Sequence, residues 1–585
     1  MSQVNAPYAA TPALAGFLRD EKIPFAQCDF SLGLALRLFS PAGLREIRGT
    51  LAGKRALPPN ARYFLANFDA YERAVAPATR LLQTRDPALA RRVASPGFLP
   101  GGWRLAQVHG RDADSELPRF FGPCGTHDRA TYLASLFLDE IADIVRESVD
   151  PGFAFSRYAE SLAQSLPTLA PLLRALRRGT LLTRWLDELV DAALEKHAPR
   201  IVAVTCPFPG TLLGACRVAL RVKQKHPAAV VLGGGYPSTE LRELEDPRFF
   251  DLFDAVALDD GREPLRALWK NQTPPHTFTR EKGRVLFHAG NAPALPPPRP
   301  DFSGLPLDDY LSLVEMPNPM HRLWSDACWL KVPLTTGCHW GRCAFCDTAL
   351  PHIRCFAQPP AKEIADRLFK LHDETGKTGF HFTDEALPPA LLDALSAELL
   401  RRGAPFAWWG NIRLERGFTR GVAERMAAAG CVAVTGGLEC ADDRLLALMK
   451  KGVTLNGARG VLRAFADAGC LTHAYLIYGF PTQTLRDISG ALEYVRERFA
   501  EGSLHSAFWH RFTLTAHSPM LAEPEKYGIV PREKFSRAPR FARNAVQYDE
   551  PGAAPDWAQV GQSLRRATYN YMFGVGLDAP VAEWL

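Results

Sequence analysis

At 585 residues the chain is too long for one compact core and suggests about three domains. A hydrophobic fraction of 47% with 23% charged residues excludes a largely disordered protein. The formal net charge of +6 is too dilute over this length to argue for nucleic acid or an anionic membrane surface.

No apolar run reaches the ~18 residues of a membrane span. The N-terminus, MSQVNAPYAATPALAGFLRDEK, lacks a basic segment followed by an apolar one, so a cytoplasmic protein is expected. In that compartment the twelve cysteines point to metal or catalysis rather than to disulfides.

In chain order, TPALAGFLRD predicts a helix and IPFAQCDF, residues 23–30, a strand. From about 44 to 200 the pattern is helical, with RATYLASLFLDEIADIVRESV the strongest amphipathic run. Trp103, Phe120, Phe121 and Tyr132 read as core of this helical insertion. IVAVT, AVVLGGG and FDAVALDDG then alternate with helices, which predicts parallel pairing. Residues 1–275 are therefore expected to form a doubly wound, flavodoxin-like or Rossmann-like α/β domain carrying that insertion.

The proline run NAPALPPPRP, 291–300, marks a linker expected over 276–325. Beyond it come six strand-then-helix units, with strands at VPLTT, GFHFTDE, FAWWGNI, CVAVTGGLE, LTHAYLIYGF and SAFWHRFTLT. They suit an open sheet or a partial (βα)6 TIM-like barrel over 326–520, and a barrel would place chemistry at the C-terminal strand ends. The tail, 521–585, containing DWAQVGQSLRRATYNYMFGVG, reads as a helical cap.

The first barrel strand runs into GCHWGRCAFCDT, where Cys338, Cys343 and Cys346 have the spacing C-x4-C-x2-C. Three thiolates on a glycine-containing loop suit an iron–sulfur cluster with one open iron. Zinc completed by Cys355 or, less comfortably, by His339 beside Cys338 is the second reading. Buried free thiols are the third reading.

With the segments that follow, this region, about 328–519, resembles radical S-adenosylmethionine (SAM) enzymes. The quoted stretches are FHFTDEAL with Asp384 and Glu385, WWGNIRLE with Asn411 and Arg413, and GGLECADDRLLALMKKG with Gly436, Gly437 and Glu439. YLIYGFPTQT adds Gly479. Three departures stand out: one extra residue between the first two cysteines, Cys440 for a serine, and Gln483 for an acid.

The resemblance implies a [4Fe–4S] cluster on Cys338, Cys343 and Cys346. It also implies SAM on the open iron, with Phe345, Asp384, Asn411, Arg413, Gly436, Gly437, Glu439 and Gly479 around it. A zwitterionic sulfonium needs a cation for its carboxylate, which Arg413 offers. It needs acceptors for its amine and hydroxyls, which Glu439 and Asn411 offer. Read alone, each glycine is also a simple turn, Arg413 and Glu439 are salt-bridge partners, and Asp384 is a helix cap.

The segments VTCPFPGTLLGACRVAL, VVLGGGYPSTELR and VALDDGREPLRAL resemble a cobalamin-binding-like domain. That resemblance implies contacts from Thr205, Pro207, Gly233, Gly234, Gly235, Tyr236, Asp259 and Gly261, at strand ends where open α/β sheets bind ligands. The D-x-H-x-x-G cobalt-ligating motif is absent, and a scaffold without cofactor is the other reading.

The function so implied is reductive cleavage of SAM to a 5′-deoxyadenosyl radical, with cobalamin-dependent methylation of an unactivated carbon in a natural product or peptide. The alternatives are radical rearrangement, cyclisation or bond cleavage without cobalamin, and a zinc-stabilised binding module. A small-molecule or peptide substrate and an electron donor such as flavodoxin or ferredoxin are the expected partners. No residue stands out as the catalytic acid or base. His473 and Tyr475 are expected on one face of the fifth barrel strand and Tyr478 on the other.

Overall fold

The computed structural model describes residues 4–108, 121, 125–155, 166–290, 295–532, 538–551 and 555–585. A mixed five-stranded sheet, a parallel six-stranded sheet and a helical layer make up the bulk of an α/β protein.

The helical layer is built from helices between Phe30–Leu38 and Leu181–His197, the longest being Thr126–Ser148. They bury Tyr71, Phe137, Leu138 and Trp185 in a common core. The strand expected at 23–30 is absent. Residues 23–29 run without a sheet partner, and Asp29 instead caps the helix Phe30–Leu38 by accepting the Leu32 N–H at 2.9 Å. Trp103 is 61% exposed, contrary to a core role. Phe121 packs on Tyr132 at 6.0 Å, and Phe120 lies outside the described residues.

The smaller sheet has the order β1 (Ile201–Thr205), β2 (Ala229–Gly233), β3 (Ala255–Ala257), β4 (Thr277–Glu281), β5 (Arg284–His288). The first three are parallel, and β4 and β5 add an antiparallel hairpin. That hairpin lies inside the span expected to be linker.

The larger sheet is wholly parallel: β6 (Trp329–Val332), β7 (Gly379–Leu387), β8 (Ala407–Ile412), β9 (Cys431–Glu439), β10 (Leu471–Tyr478) and β11 (Ser506–Arg511), paired in sequence order. This is the expected (βα)6 succession. β6 starts and ends earlier than VPLTT because Pro333 has no N–H to continue the ladder.

Alternation sorts the side chains of this sheet. Phe380, Phe382, Trp408, Val434, Leu438, Leu476, Tyr478 and Trp509 pack against the surrounding helices. His381, Trp409, Asn411, Gly437, His473 and Tyr475 therefore face inward.

The tail helix Trp557–Met572 extends the outer helical layer rather than covering the barrel mouth. Its Thr568 accepts the Trp509 indole N–H at 2.8 Å, and Gly561 sits against the Tyr478 ring. Just before it, the chain crosses to the smaller sheet. Phe541, fully buried, packs 5.0 Å from Phe249, and Arg543 pairs with Glu243 at 2.8 Å.

Candidate active site

The cysteine loop leaves β6 through Leu334 and Thr335, whose backbone N–H groups both point at Asp384 on β7. Asp384 accepts from Leu334 N at 3.0 Å, Thr335 N at 2.5 Å and the Thr335 hydroxyl at 2.7 Å. Burial pushes this carboxyl up to about 6 against the pull of those donors. Asp384 is thus neither a helix cap nor a free ligand; it fastens the root of the loop. Gly337 and Gly341 adopt left-handed φ values of 71° and 56°. A Cβ at Gly337 would lie 2.4 Å from the Cys355 carbonyl.

Within the loop Cys343 is buried, while Cys338 and Cys346 are partly exposed. The hydrogen bond from the Cys346 thiol, then the charges of Lys451 and Arg413, pull Cys343 below the ordinary thiol range against its burial. Cys346 is pushed up in exchange. Arg413 places Nη1 4.0 Å from Cys343 Sγ, donates to the Lys451 carbonyl and lies 4.5 Å over the Trp340 ring. Cations flanking partly enclosed thiols favour the thiolate, the form that binds metal. This donor set fits a cluster that takes three sulfur ligands.

Among the described residues no three His, Cys, Asp or Glu side chains converge on a single-ion position. Zinc draws its four donors to one point, whereas an iron–sulfur cube spreads its ligands around several atoms. Both His339 nitrogens are occupied, at 3.0 Å from the Ala386 carbonyl and 2.9 Å from Glu415.

Glu439, with φ +67°, receives Lys451 Nζ at 2.5 Å, and both side chains are buried. Burial opposes the Lys451 charge, but Glu439 and the two thiols outweigh it and raise its pKa. A Cβ at Gly437 would fall 2.0 Å from Glu439 Oε1, so this glycine makes room for the pair. Gly436 points the other way, against Leu414 on the helix side, and does not line the interior.

Asn411 is held at both ends, donating to the Asp384 carbonyl at 2.8 Å and accepting from Thr435. Phe345 lies 5.9 Å from Lys451 Nζ. Gly479 (φ +72°) donates to Gln483 Oε1 at 2.7 Å, so the glutamine in the acid's place closes the turn.

Deeper in the barrel, His381 stacks on Trp409 with centroids 3.5 Å apart. Trp324, from the helix Pro319–Ser325, closes the floor 4.6 Å from His473. Burial keeps His381 and His473 well below the ordinary imidazole range and brings Lys331 down to about 8. Tyr475 contacts both His473 and His510, while Tyr478 faces the helices.

At the C-terminal ends of the smaller sheet, Thr205 pairs with Gly233, and no atom crowds the open side of Gly233. Gly234 (φ +109°) and Gly235 are glycines for packing reasons: a Cβ would lie 2.7 Å from the Cys206 carbonyl or 2.8 Å from that of Pro207. Tyr236 is 1% exposed in the domain core, not at a ligand face.

Asp259 is also spoken for. It pairs with Arg242, with His276 at 3.4 Å, and across to His352 of the cysteine-loop region at 2.9 Å. His352 and Arg242 hold its carboxyl at about 2 despite burial. Gly261, at the N-cap of the helix Arg262–Trp269, has the Leu14 side chain as its nearest neighbour.

Just past β1, Phe208 packs edge-on against Tyr8 with centroids 6.2 Å apart. Desolvation, with the charges of Glu385 and Cys206 adding, pushes Tyr8 up to about 12.

Sequence reasoning assigned no role to Lys451, Trp340, His352 or Tyr8. Lys451 lay in a quoted motif, as the second lysine of MKKG, and Trp340 in another, GCHWGRCAFCDT.

The Radical SAM superfamily profile matches residues 332–495. An uncharacterized methyltransferase of Pyrococcus horikoshii is 25% identical over 317 residues. That match covers 52% of this chain and 65% of the relative, just under two thirds of its length. Among solved structures, the radical SAM methyltransferase TsrM of Kitasatospora setae, with cobalamin and a [4Fe–4S] cluster bound, aligns with 17% identity and a TM-score of 0.48. The alignment covers 68% of this chain and 81% of TsrM. The cobalamin-dependent radical enzyme OxsB, bound to aqua-cobalamin and SAM, aligns with 13% identity and a TM-score of 0.49, covering 65% and 59%. The stretch that matches the Radical SAM superfamily carries the three-cysteine loop and strands β7 to β10 of the larger sheet.

Proposed function

We propose that the protein is a radical SAM enzyme whose cluster is held by Cys338, Cys343 and Cys346. The observation that carries this reading is a loop of three cysteines, two of whose thiols, Cys343 and Cys346, lie by the buried cations Arg413 and Lys451 at the C-terminal edge of a six-stranded parallel sheet. When bound, a [4Fe–4S] cluster supplies the electron that cleaves SAM to a 5′-deoxyadenosyl radical.

The chain's own contribution is placement. Asp384 anchors the loop, Arg413 and Lys451 offset thiolate charge, and Glu439, oriented by Lys451, presents an acceptor for SAM's amine or ribose. Phe345 and Gly479 flank the same space. The closed floor of His381, Trp409, Trp324 and His473 keeps bulk water from below.

We further infer cobalamin-dependent methylation of a small molecule or peptide. The support is the uncrowded end of β2 at Gly233 beside the end of β1, where Phe208 packs on Tyr8, with Thr205, Pro207 and Gly233 the residues left to meet a corrin. No described helix is long and apolar enough to cross a membrane.

Anaerobic reconstitution followed by Mössbauer spectroscopy and a corrin absorption spectrum tests both parts. Iron and sulfide in a cubane signature, with 5′-deoxyadenosine formed by wild type and not by a soluble Cys343→Ala variant, are expected. Zinc without iron would overturn the reading, and a cubane without corrin uptake would remove the methylation.

A further inference from the structure

On the outer side of the cysteine loop lies a groove of about 850 Å³. Its floor is apolar, formed by Pro388, Pro389, Leu414, Val422 and Val453, and His339 with Glu415 borders it on the loop side. Trp340 stands beside it. Its Nε1 donates to the Lys450 carbonyl at 3.0 Å, and Arg342 lies 5.3 Å from its ring. Gly452 lines the groove against the same indole, where a Cβ would come within 2.1 Å of the ring at a φ of +72°. Arg413 then links the ring to Cys343 Sγ, through separations of 4.5 and 4.0 Å. A short run of packed groups thus joins the surface to a buried thiol.

The charges around this face are one-sided. Arg342, Arg416 and Lys450 are exposed, and no ion pair of theirs is found among the described residues. The acids nearby are already held: Glu415 by His339, and Asp393 by Arg425 at 2.6 Å. An approaching protein therefore meets a basic rim around an apolar floor.

We propose that this groove is the docking face for an acidic flavoprotein electron carrier of the flavodoxin class. The proposal rests on the reading that Cys338, Cys343 and Cys346 hold a redox cluster. In the transfer the carrier is oxidised by one electron and the cluster is reduced by one; no bond of this chain forms or breaks. The apolar floor fits the exposed dimethylbenzene edge of a flavin. A ferredoxin, whose cofactor is inorganic, offers no such edge.

The test uses the full chain, reconstituted without oxygen, and reduced flavodoxin as probe. Titration should show affinity that falls as salt rises. The triple variant Arg342→Glu, Arg416→Glu, Lys450→Glu should weaken it at least tenfold, while dithionite-driven 5′-deoxyadenosine formation stays within twofold of wild type. Unchanged flavodoxin affinity in that variant overturns the proposal, as does a ferredoxin that binds more tightly than flavodoxin through the same three residues. If dithionite yields no deoxyadenosine from wild type while flavodoxin binding still depends on the basic rim, the assigned chemistry fails and the docking face stands.

Discussion

Lys451 Nζ sits 2.5 Å from Glu439 Oε1 with both side chains almost wholly out of solvent, and the same ammonium acts on the thiols of Cys343 and Cys346. One cation therefore serves two anionic neighbours. Removing it strands Glu439, and an uncompensated buried charge costs about 3–5 kcal/mol. Lys451→Met should show that loss in chemical denaturation of the metal-free protein and retain less iron after reconstitution. Lys451→Arg, which keeps the charge, should recover part of both.

The cysteines separate the iron and zinc readings. Cys355 is the fourth ligand that the sequence offers zinc, and the backbone around it is fixed by the Pro351 carbonyl and by close packing on Gly337. Cys355→Ser should keep iron and sulfide at wild-type stoichiometry, and Cys346→Ser should lose most of it. Metal and sulfide analysis of the two variants side by side decides the matter.

Asp384 ties two consecutive N–H groups of the loop root to β7. In Asp384→Asn an amide must face donors it cannot accept with both of its atoms, leaving at least one buried N–H unpaired at a cost of about 1–3 kcal/mol. Hydrogen exchange at Leu334 and Thr335 should quicken before exchange elsewhere in the larger sheet does.

Asp259 links the two sheets and carries the pH signature of that link. Its folded pKa of about 2 lies below the ordinary 3.8, so the ionised form is favoured in the folded protein. Its stabilisation is complete above about pH 4 and drains away as pH falls toward 2. After allowance for solvent screening it is on the order of 1–2 kcal/mol. Arg242, His276 and His352 all face it. Denaturation curves at pH 4.5 and 2.5 should differ less for Asp259→Asn than for wild type.

Much of the larger sheet was legible because each of its strands is an apolar run followed by a helix-period segment. The bounds of CVAVTGGLE match β9 residue for residue. The cysteine loop was equally plain from its spacing. The strand expected at IPFAQCDF failed because β-like composition there was overridden by a helix cap at Asp29. Asp384 and Asp259 were read as ligands since sequence reveals an acid at a strand end but not which distant N–H or guanidinium it meets. Gly436 and Gly437, neighbours in the chain, face opposite sides of β9, a distinction made only by strand phase. Tyr8 and Phe208 lie 200 positions apart and meet only through tertiary packing.

Phe541 and Arg543 come from near the end of the chain, yet they plug and pin the smaller sheet formed some three hundred positions earlier. During synthesis that half therefore emerges without its final buckle and stays open until the last stretch leaves the ribosome. Truncation ahead of Phe541 should then yield a protein whose halves part readily, whatever becomes of the thiol loop itself.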